Sequence, residues 1–151
     1  MSMKGQSGAT SLVEYAAGTT TGARRVLNED AFGVFEDHHL FVVVDGCGGT
    51  SSGEKAATRT IVTFAQPLAR DLMDPLASAI LTANADIYRE GQTNAEWKGQ
   101  GAALCAVRVS AAIVSLAHVG DCRVGRYRQG RLAWLTEDHS LVAERRKRSR
   151  K

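Results

Sequence analysis

Three short acidic segments carry the side chains of this sequence that are best suited to chemistry. They are Asn28-Glu29-Asp30, Asp45-Gly46-Cys47-Gly48-Gly49 and Val119-Gly120-Asp121-Cys122-Arg123. Each lies at a predicted strand end or turn, where carboxylates from different strands can converge. Carboxylate and carbonyl oxygens are the ligands of hard divalent cations such as Mg²⁺ and Mn²⁺. Zn²⁺ is not indicated, because the sequence has no His/Cys cluster with ligand spacing.

A structural role is the alternative for each segment. Asp45 follows an apolar strand and precedes glycine-rich backbone, so its carboxylate and a neighbouring carbonyl can face a cation without obstruction. Asp beside Gly also commonly begins or caps a turn, as Asp45 and Asp121 would. Taken singly, each segment favours the structural role, whereas the three in combination favour a site.

The strands that must position these segments are predicted from apolar and β-branched runs bounded by turn residues. A first strand covers Leu12–Ala17, and Asp30–Phe35 with Leu40–Val44 forms a β-hairpin. Four more strands are expected in hairpin succession, at Ala102–Val109, Ala112–Val119, Val124–Arg128 and Leu132–Leu135.

Two helices are predicted between these groups of strands. The first has an apolar face at Ala57, Ile61, Phe64, Ala65 and Leu68, with Ser51 or Ser52 as its cap, Glu54 in its first turn and Pro67 near its end. The second begins with Asp74 as N-cap and Pro75 at the first position, buries Leu76, Ile80, Ala83 and Ile87, and ends at Gly91.

Strands, a helix pair and further strands predict an antiparallel α+β fold with helices covering one face of the sheet. The 151 residues, 44% of them hydrophobic, suit one domain over residues 11–142, after a loose lead-in over residues 1–10. No leader or membrane-spanning stretch appears, which favours the cytoplasm and no membrane partner. The three cysteines, Cys47, Cys105 and Cys122, are expected to be reduced thiols in small, partly buried positions.

The net charge of +3 includes six basic residues between positions 145 and 151, so residues 1–144 carry −3. Residues 143–151 are therefore expected to form a solvated, disordered basic tail. Nucleic acid or another acidic partner is the less favoured alternative.

Four motifs, in order, resemble the type 2C (PPM) family of metal-dependent serine/threonine protein phosphatases. They are Arg25-Val-Leu-Asn-Glu-Asp30, Val44-Asp45-Gly46-Cys47-Gly48-Gly49 with Gly53-Glu54, Val119-Gly120-Asp121-Cys122-Arg123, and Leu135-Thr136-Glu137-Asp138-His139-Ser140. The resemblance covers residues 16–142. It implies an α-β-β-α sandwich of antiparallel sheets flanked by helices, here incomplete at its C-terminus.

The resemblance also implies roles for individual residues. Asp45 would bridge two Mn²⁺ or Mg²⁺ ions, the Gly46 carbonyl would bind one of them, and Glu29 and Asp30 would ligate metal or orient its water. Arg25 would hold the substrate phosphate. Asp121 would help to hold a third metal ion, whereas Asp138, His139 and Ser140 would support the fold.

Some positions depart from the family pattern. Cys47 replaces a histidine of many eukaryotic relatives, Ala102-Ala103 replaces Thr-Thr, and Cys122 replaces Ser. Two further metal-binding aspartates of the family, in Asp-Gly and Asp-Asn motifs beyond the Asp-His-Ser element, do not occur in this sequence.

Hydrolysis of phosphoserine and phosphothreonine in proteins by metal-activated water is the function that the resemblance implies, with a protein kinase of the same pathway as a further partner. The alternative is a catalytically impaired phosphatase-like fragment that acts as a binding module. A carrier for a nucleic-acid-binding tail is less favoured.

Overall fold

The computed structural model describes residues 3–48, 52–66 and 74–149. The strands are β1 Met3–Ala9, β2 Glu14–Thr20, β3 Asp30–Phe35, β4 Leu40–Cys47, β5 Gly101–Val109, β6 Val114–Val119, β7 Gly125–Arg128 and β8 Arg131–Trp134. The helices are α1 Ser52–Phe64, α2 Pro75–Thr93 and α3 Leu141–Arg148. Strands β3-β4-β5-β6 form an antiparallel sheet in that order, while β1-β2 and β7-β8 form two separate antiparallel pairs.

The core lies between the four-stranded sheet and helices α1 and α2. Successive side chains of a strand point to opposite faces, and on β4 it is Leu40, Val42 and Val44 that are buried. They pack with Phe64 of α1 and Leu76 of α2 in one apolar cluster. As predicted, the helices cover one face of the sheet, so Asp45 on β4 projects from the other face.

That other face is partly covered by the β1–β2 hairpin. The Tyr15 ring of β2 lies 5.5 Å from the Phe41 ring of β4, measured between centroids. Helices, a four-stranded sheet and a second β-layer therefore stack in that order, which confirms the antiparallel α+β class. Among the described residues, no helix is both long and apolar enough to cross a bilayer.

Helix α2 begins as predicted but ends later. Asp74 Oδ1 accepts a hydrogen bond from the Ala77 amide at 3.0 Å, and Pro75 occupies the first turn. Gly91 does not stop the helix, which continues to Thr93. A Cβ at Gly91 would lie 3.1 Å from the Trp97 carbonyl oxygen, so this glycine allows the close approach of the following turn.

Helix α1 has the predicted apolar face over its described length. Ala57 and Phe64 are buried, Ile61 packs against them, and Glu54 lies in the first turn. Ala65 follows the helix and is exposed. Ser52 is its first residue, whereas the predicted positions Ser51, Pro67 and Leu68 lie outside the described residues.

The expected loose lead-in over residues 1–10 is wrong for residues 3–9. These form β1, which pairs with β2 from Met3 opposite Thr20 to Ala9 opposite Glu14. Every residue of β1 is exposed, and no alternation of apolar and polar residues marks it. Backbone pairing with β2 holds it, together with a hydrogen bond from the Gln6 side-chain amide to the Tyr15 hydroxyl at 3.1 Å. The first predicted strand, Leu12–Ala17, accordingly begins and ends later as β2.

The predicted hairpin succession is wrong between β6 and β7. Strand β6 is an edge of the four-stranded sheet, and β7 pairs only with β8 within the described part of the chain. All residues of β7 and β8 are exposed. Strand β6 also begins at Val114, because the Ser110 amide bonds to the Ile113 carbonyl and places Ala112 in the turn.

The expected disordered tail is wrong for residues 143–148, which belong to helix α3. The Ser140 hydroxyl accepts a hydrogen bond from the Ala143 amide at 3.2 Å and so caps the helix start. Arg and Lys have high helix propensity, and their charge suits a helix C-terminus.

Candidate metal centre

Asp30 and Asp45 are directly opposite each other where β3 meets the end of β4. Directly paired residues of an antiparallel ladder share one face, with Cβ atoms about 5 Å apart. The hairpin thus places two carboxylates side by side, as the sequence predicted.

The pKa of the Asp45 carboxyl is raised above its ordinary value. Loss of hydration is the first cause: the residue is exposed, but surrounding protein atoms displace part of the water around its carboxyl group. The negative charges of Asp30 and Asp121 raise the pKa further, and the Arg25 guanidinium opposes them. Carboxylates that repel one another in this way are stabilised by a bound cation.

Asp121 reaches this corner through strand β5. Ala103 of β5 pairs with Asp45, and Gly120, in the turn after β6, lies directly against Ala103. The φ of Gly120 is +86°, and a Cβ there would lie 3.1 Å from the Ala103 Cα, so a larger residue would displace the turn. The replacement of Thr-Thr by Ala102-Ala103 therefore leaves small side chains on β5 between the end of β4 and the turn after β6.

Gly46 and Gly53 bring the start of α1 against the end of β4. The Gly46 amide donates a hydrogen bond to the Glu29 carbonyl at 3.1 Å. A Cβ on Gly46 would collide with the Gly53 carbonyl, and a Cβ on Gly53 would collide with Glu29 Oε1. Neither position has room for a side chain, so these glycines hold Glu29 beside Asp45.

Glu29 Oε1 is buried and has no hydrogen-bond partner. Its Oε2 lies 3.9 Å from Arg25 Nη1, at the outer limit of an ion pair, and the Arg25 side chain is 78% exposed. A buried acceptor without a donor costs free energy, which a bound cation would remove. Arg25 keeps its guanidinium in solvent, where it can meet an incoming anion.

Two cavities adjoin the acidic corner. One, of about 360 Å³, lies between β2 and the sheet and is lined by Thr19, Asp30, Val43, Asp45 and Cys122, among others. Burial is the first cause that raises the pKa of the Cys122 thiol to about 11, and the Asp45 charge is the second. The other, of about 440 Å³, reaches Glu54 of α1. Asp30 lines both cavities, so the corner is open from two sides.

The donor set suits a hard cation in kind, because Glu29, Asp30, Asp45 and Asp121 all offer oxygen atoms. Within residues 3–48, 52–66 and 74–149, no three His, Cys, Asp or Glu side chains are arranged closely enough to enclose a metal ion. The orphaned Glu29 oxygen and the crowded Asp45 carboxyl fit a cation, but the described residues complete only part of a coordination sphere.

Comparison with known proteins gives this corner a context. No family model matches the chain. Over 137 residues it is 32% identical to the serine/threonine phosphatase stp of Listeria monocytogenes. The aligned region covers 83% of this chain and 54% of that protein. The structure of the Streptococcus agalactiae serine/threonine phosphatase superposes on this chain with a TM-score of 0.74 and 30% identity. The match covers 99% of this chain and 62% of that one.

This chain is a relative of the bacterial type 2C (PPM) serine/threonine protein phosphatases. The catalytic domain of PstP, solved in complex with two manganese ions, also matches, with a TM-score of 0.74 and 25% identity over 99% of this chain and 61% of that one. The chain spans about half the length of the curated stp protein.

In this PPM relative the structure places most of the residues that the sequence singled out around one corner. Asp30 lies opposite Asp45, Asp121 and Arg25 are near enough to affect the charge of Asp45, and the Gly46 amide is bonded to the Glu29 carbonyl. Cys47 is exposed, so the expectation of a partly buried position is wrong for this thiol. It sits at the last position of β4, where the strand leaves the sheet.

One feature near the corner was not expected from the sequence. Arg123 and Asp138 form a two-pronged ion pair across fifteen positions of the chain. Both belong to motifs recognised in the sequence, but no local spacing rule links residues of two different turns.

Proposed function

We propose that this chain provides the phosphate-binding and metal-binding corner of a PPM-type protein serine/threonine phosphatase. The carrying observation is the pairing of Asp30 with Asp45 across the β3–β4 hairpin, beside the turn that carries Asp121. The unpartnered Glu29 oxygen beside them supports the same function. Asp45, Glu29, Asp30, Asp121 and the Gly46 carbonyl would hold Mn²⁺ or Mg²⁺, as the manganese-bound PstP domain supports.

Each residue has a task that follows from its position. A divalent cation at this corner would neutralise phosphoryl charge and acidify a water molecule. Arg25 would bind the phosphate oxygens, because its guanidinium is exposed and only weakly paired with Glu29. Asp45 would orient both the cation and the water, since it lies between Asp30 and Asp121. No described side chain needs to act as a covalent nucleophile in this scheme.

The proposed substrates are proteins carrying phosphoserine or phosphothreonine, as the names of the relatives support. A protein kinase of the same pathway and a cytoplasmic location remain part of this proposal. The unit that carries the function is proposed to span residues 11–142, extended by strand β1.

A binding module without turnover is the second candidate. It is favoured by the observation that the described residues do not by themselves enclose a metal ion. In that case Mn²⁺ would bind weakly, and a phosphopeptide would bind at Arg25 without being hydrolysed.

Hydrolysis of a phosphothreonine peptide by the purified chain with Mn²⁺, compared with Asp45→Asn and Arg25→Ala, tests the first candidate. We expect Asp45→Asn to lower the rate on the order of a thousandfold, since losing charge neutralisation costs several kcal/mol. Asp37→Asn, in the exposed turn before β4, is the matched control and should keep the rate.

The alternative outcomes are distinct. Peptide binding that needs Arg25, without turnover, would establish the binding module. Turnover that is unchanged in Asp45→Asn would contradict the proposed corner.

A further inference from the structure

A short segment after β8 folds back onto the turn that carries Asp121. We define this segment, residues 135–139, as the clasp. The His139 amide donates to the Gly120 carbonyl at 2.9 Å, and the Leu135 amide donates to the Val124 carbonyl at 2.8 Å. The Thr136 hydroxyl accepts from the Val124 amide at 2.9 Å. These bonds attach the clasp to both sides of Asp121.

Asp138 makes the strongest contact of the clasp. Arg123 Nε donates to Asp138 Oδ1 at 2.6 Å, and Arg123 Nη2 donates to Asp138 Oδ2 at 2.5 Å. Two parallel charged hydrogen bonds fix the orientation of both groups, which a single contact cannot do. The Asp138 side chain is 18% exposed and the Arg123 side chain 50%, so solvent screens the pair on the Arg123 side only in part.

Two histidines attach the same segment to strand β6. The His118 ring stacks on the His139 ring with centroids 4.4 Å apart. His118 Nε2 also lies 2.9 Å from the Glu137 carbonyl oxygen. The turn is therefore held before Asp121, by His118 and Gly120, and after it, by Arg123 and Val124.

We propose that Asp138 is a positioning residue that, by gripping Arg123, fixes the carboxylate of Asp121 opposite Asp45. This inference rests on the proposed function, because it assigns Asp121 a place in the metal-binding corner. Asp138 itself does not contact the corner. Its effect is transmitted by the Arg123 backbone, two residues from Asp121, and by the His139 bond to Gly120.

The test uses the full chain with Asp138→Asn, Arg123→Lys and the double variant. Arg123→Lys keeps the positive charge but loses the two-pronged geometry, which separates charge from position. Asp86→Asn, which removes the partly buried partner of the exposed Arg89 within α2, is the matched control. Amide exchange over residues 119–124 and calorimetric Mn²⁺ affinity are the two measurements.

We expect Asp138→Asn to speed exchange over residues 119–124 by about tenfold and to weaken Mn²⁺ binding by about tenfold, as partners behind metal ligands generally do. Exchange in β4 and the unfolding midpoint should match those of Asp86→Asn. The double variant should be no worse than Asp138→Asn alone, because both remove one interaction. Asp138→Glu should recover part of both effects.

Unchanged exchange over residues 119–124 in Asp138→Asn would overturn the proposal. Faster exchange with the Mn²⁺ affinity of the control would also overturn it, since the pair would then serve stability alone. If the unmodified chain binds no Mn²⁺, the proposed function fails. The positioning of Asp121 is then decided by the exchange measurement in the metal-free chain.

Discussion

Asp45 shows how a prospective ligand can cost stability. The folded state raises the pKa of its carboxyl above the unfolded value, so the folded chain binds the proton more tightly. This group therefore costs nothing below the unfolded pKa, and stability is lost as pH rises through the folded pKa. In the metal-free chain, Asp45→Asn should increase the free energy of unfolding at pH 7. The gain should be at most about 1 kcal/mol, because solvent screens the charges around this exposed carboxylate.

Urea unfolding of the chelator-treated chain at pH 7 and near pH 3 measures this effect. The gain should disappear near pH 3, where Asp45 is protonated in both states. Asp37→Asn should show no such dependence. A loss of stability at pH 7 in Asp45→Asn would mean that the carboxylate is held by favourable contacts instead.

The three thiols should differ in reactivity. Cys47 is exposed, whereas burial raises the pKa of Cys105 to about 11, and that of Cys122 is also raised to about 11. At pH 8 a thiol with that pKa is thiolate about once in a thousand molecules. A disulfide reagent should therefore titrate one thiol rapidly in the native chain and three in denaturant. Cys47→Ser should remove the rapid phase, and a persistent rapid phase would mean that Cys105 or Cys122 is more accessible than the structure shows.

The sequence predicted which side chains lie together where the residues belong to neighbouring elements of the chain. Asp30 and Asp45 belong to one hairpin, so turn length and strand alternation were enough to place them together. The bond between Arg123 and Asp138 joins two turns, and only the folded backbone brings them within reach. The unpartnered state of Glu29 Oε1 likewise depends on the packing of α1 against β4.

Elements meet most tightly where β4 passes under the start of α1. Gly46→Ala places a methyl group against the Gly53 carbonyl, which is backbone and cannot turn away. We expect this variant to lose about 3 kcal/mol of stability, as overpacked sites do at the upper end, and to lose Mn²⁺ binding. Thermal unfolding and calorimetry measure the two effects.

Gly5→Ala on β1 is the matched control for Gly46→Ala, because its Cβ would lie 3.4 Å from the Ala17 carbonyl oxygen, an acceptable contact. It should unfold within a few degrees of the unmodified chain. Gly46→Ala with ordinary stability would show that α1 can shift away from β4, contrary to the packing described.

Among helices and strands, the sequence predicted those whose first residues are typical of the start of such an element. Asp74 and Pro75 mark the start of α2, whereas at its end Asn94 is extended and its side chain accepts a hydrogen bond from the Glu96 amide of the next turn. Strand β1 has no signal of its own, since it is exposed on both faces and held by β2.

For the whole molecule, exposed apolar surface predicts association. Tyr127, Leu132 and Trp134 share one face of the β7–β8 hairpin by register and are 74%, 57% and 57% exposed. Val43 on the open side of the four-stranded sheet is 48% exposed. Such surfaces promote association between chains. Sedimentation at rising concentration should show self-association that ammonium sulfate strengthens.

Leu132→Ser combined with Trp134→Ser should reduce this association several-fold. Val26→Ser is the control, because Val26 is 94% exposed in a loop away from the hairpin and should leave the sedimentation pattern unchanged. A monodisperse monomer at all concentrations would contradict the expectation.

The order of strands in the sheet also constrains how the chain folds. Strands β3 and β4, and likewise β5 and β6, are sequence neighbours that can pair within microseconds. The seam between β4 and β5 joins residues as distant in sequence as Leu40 and Arg108, with both long helices in between. Closing so large a loop costs entropy before the new contacts repay it, so relative contact order sets a slow rate. Refolding should therefore wait on this seam: the hairpin can set Asp45 opposite Asp30 early, but Asp121 reaches them only after β5 has joined β4.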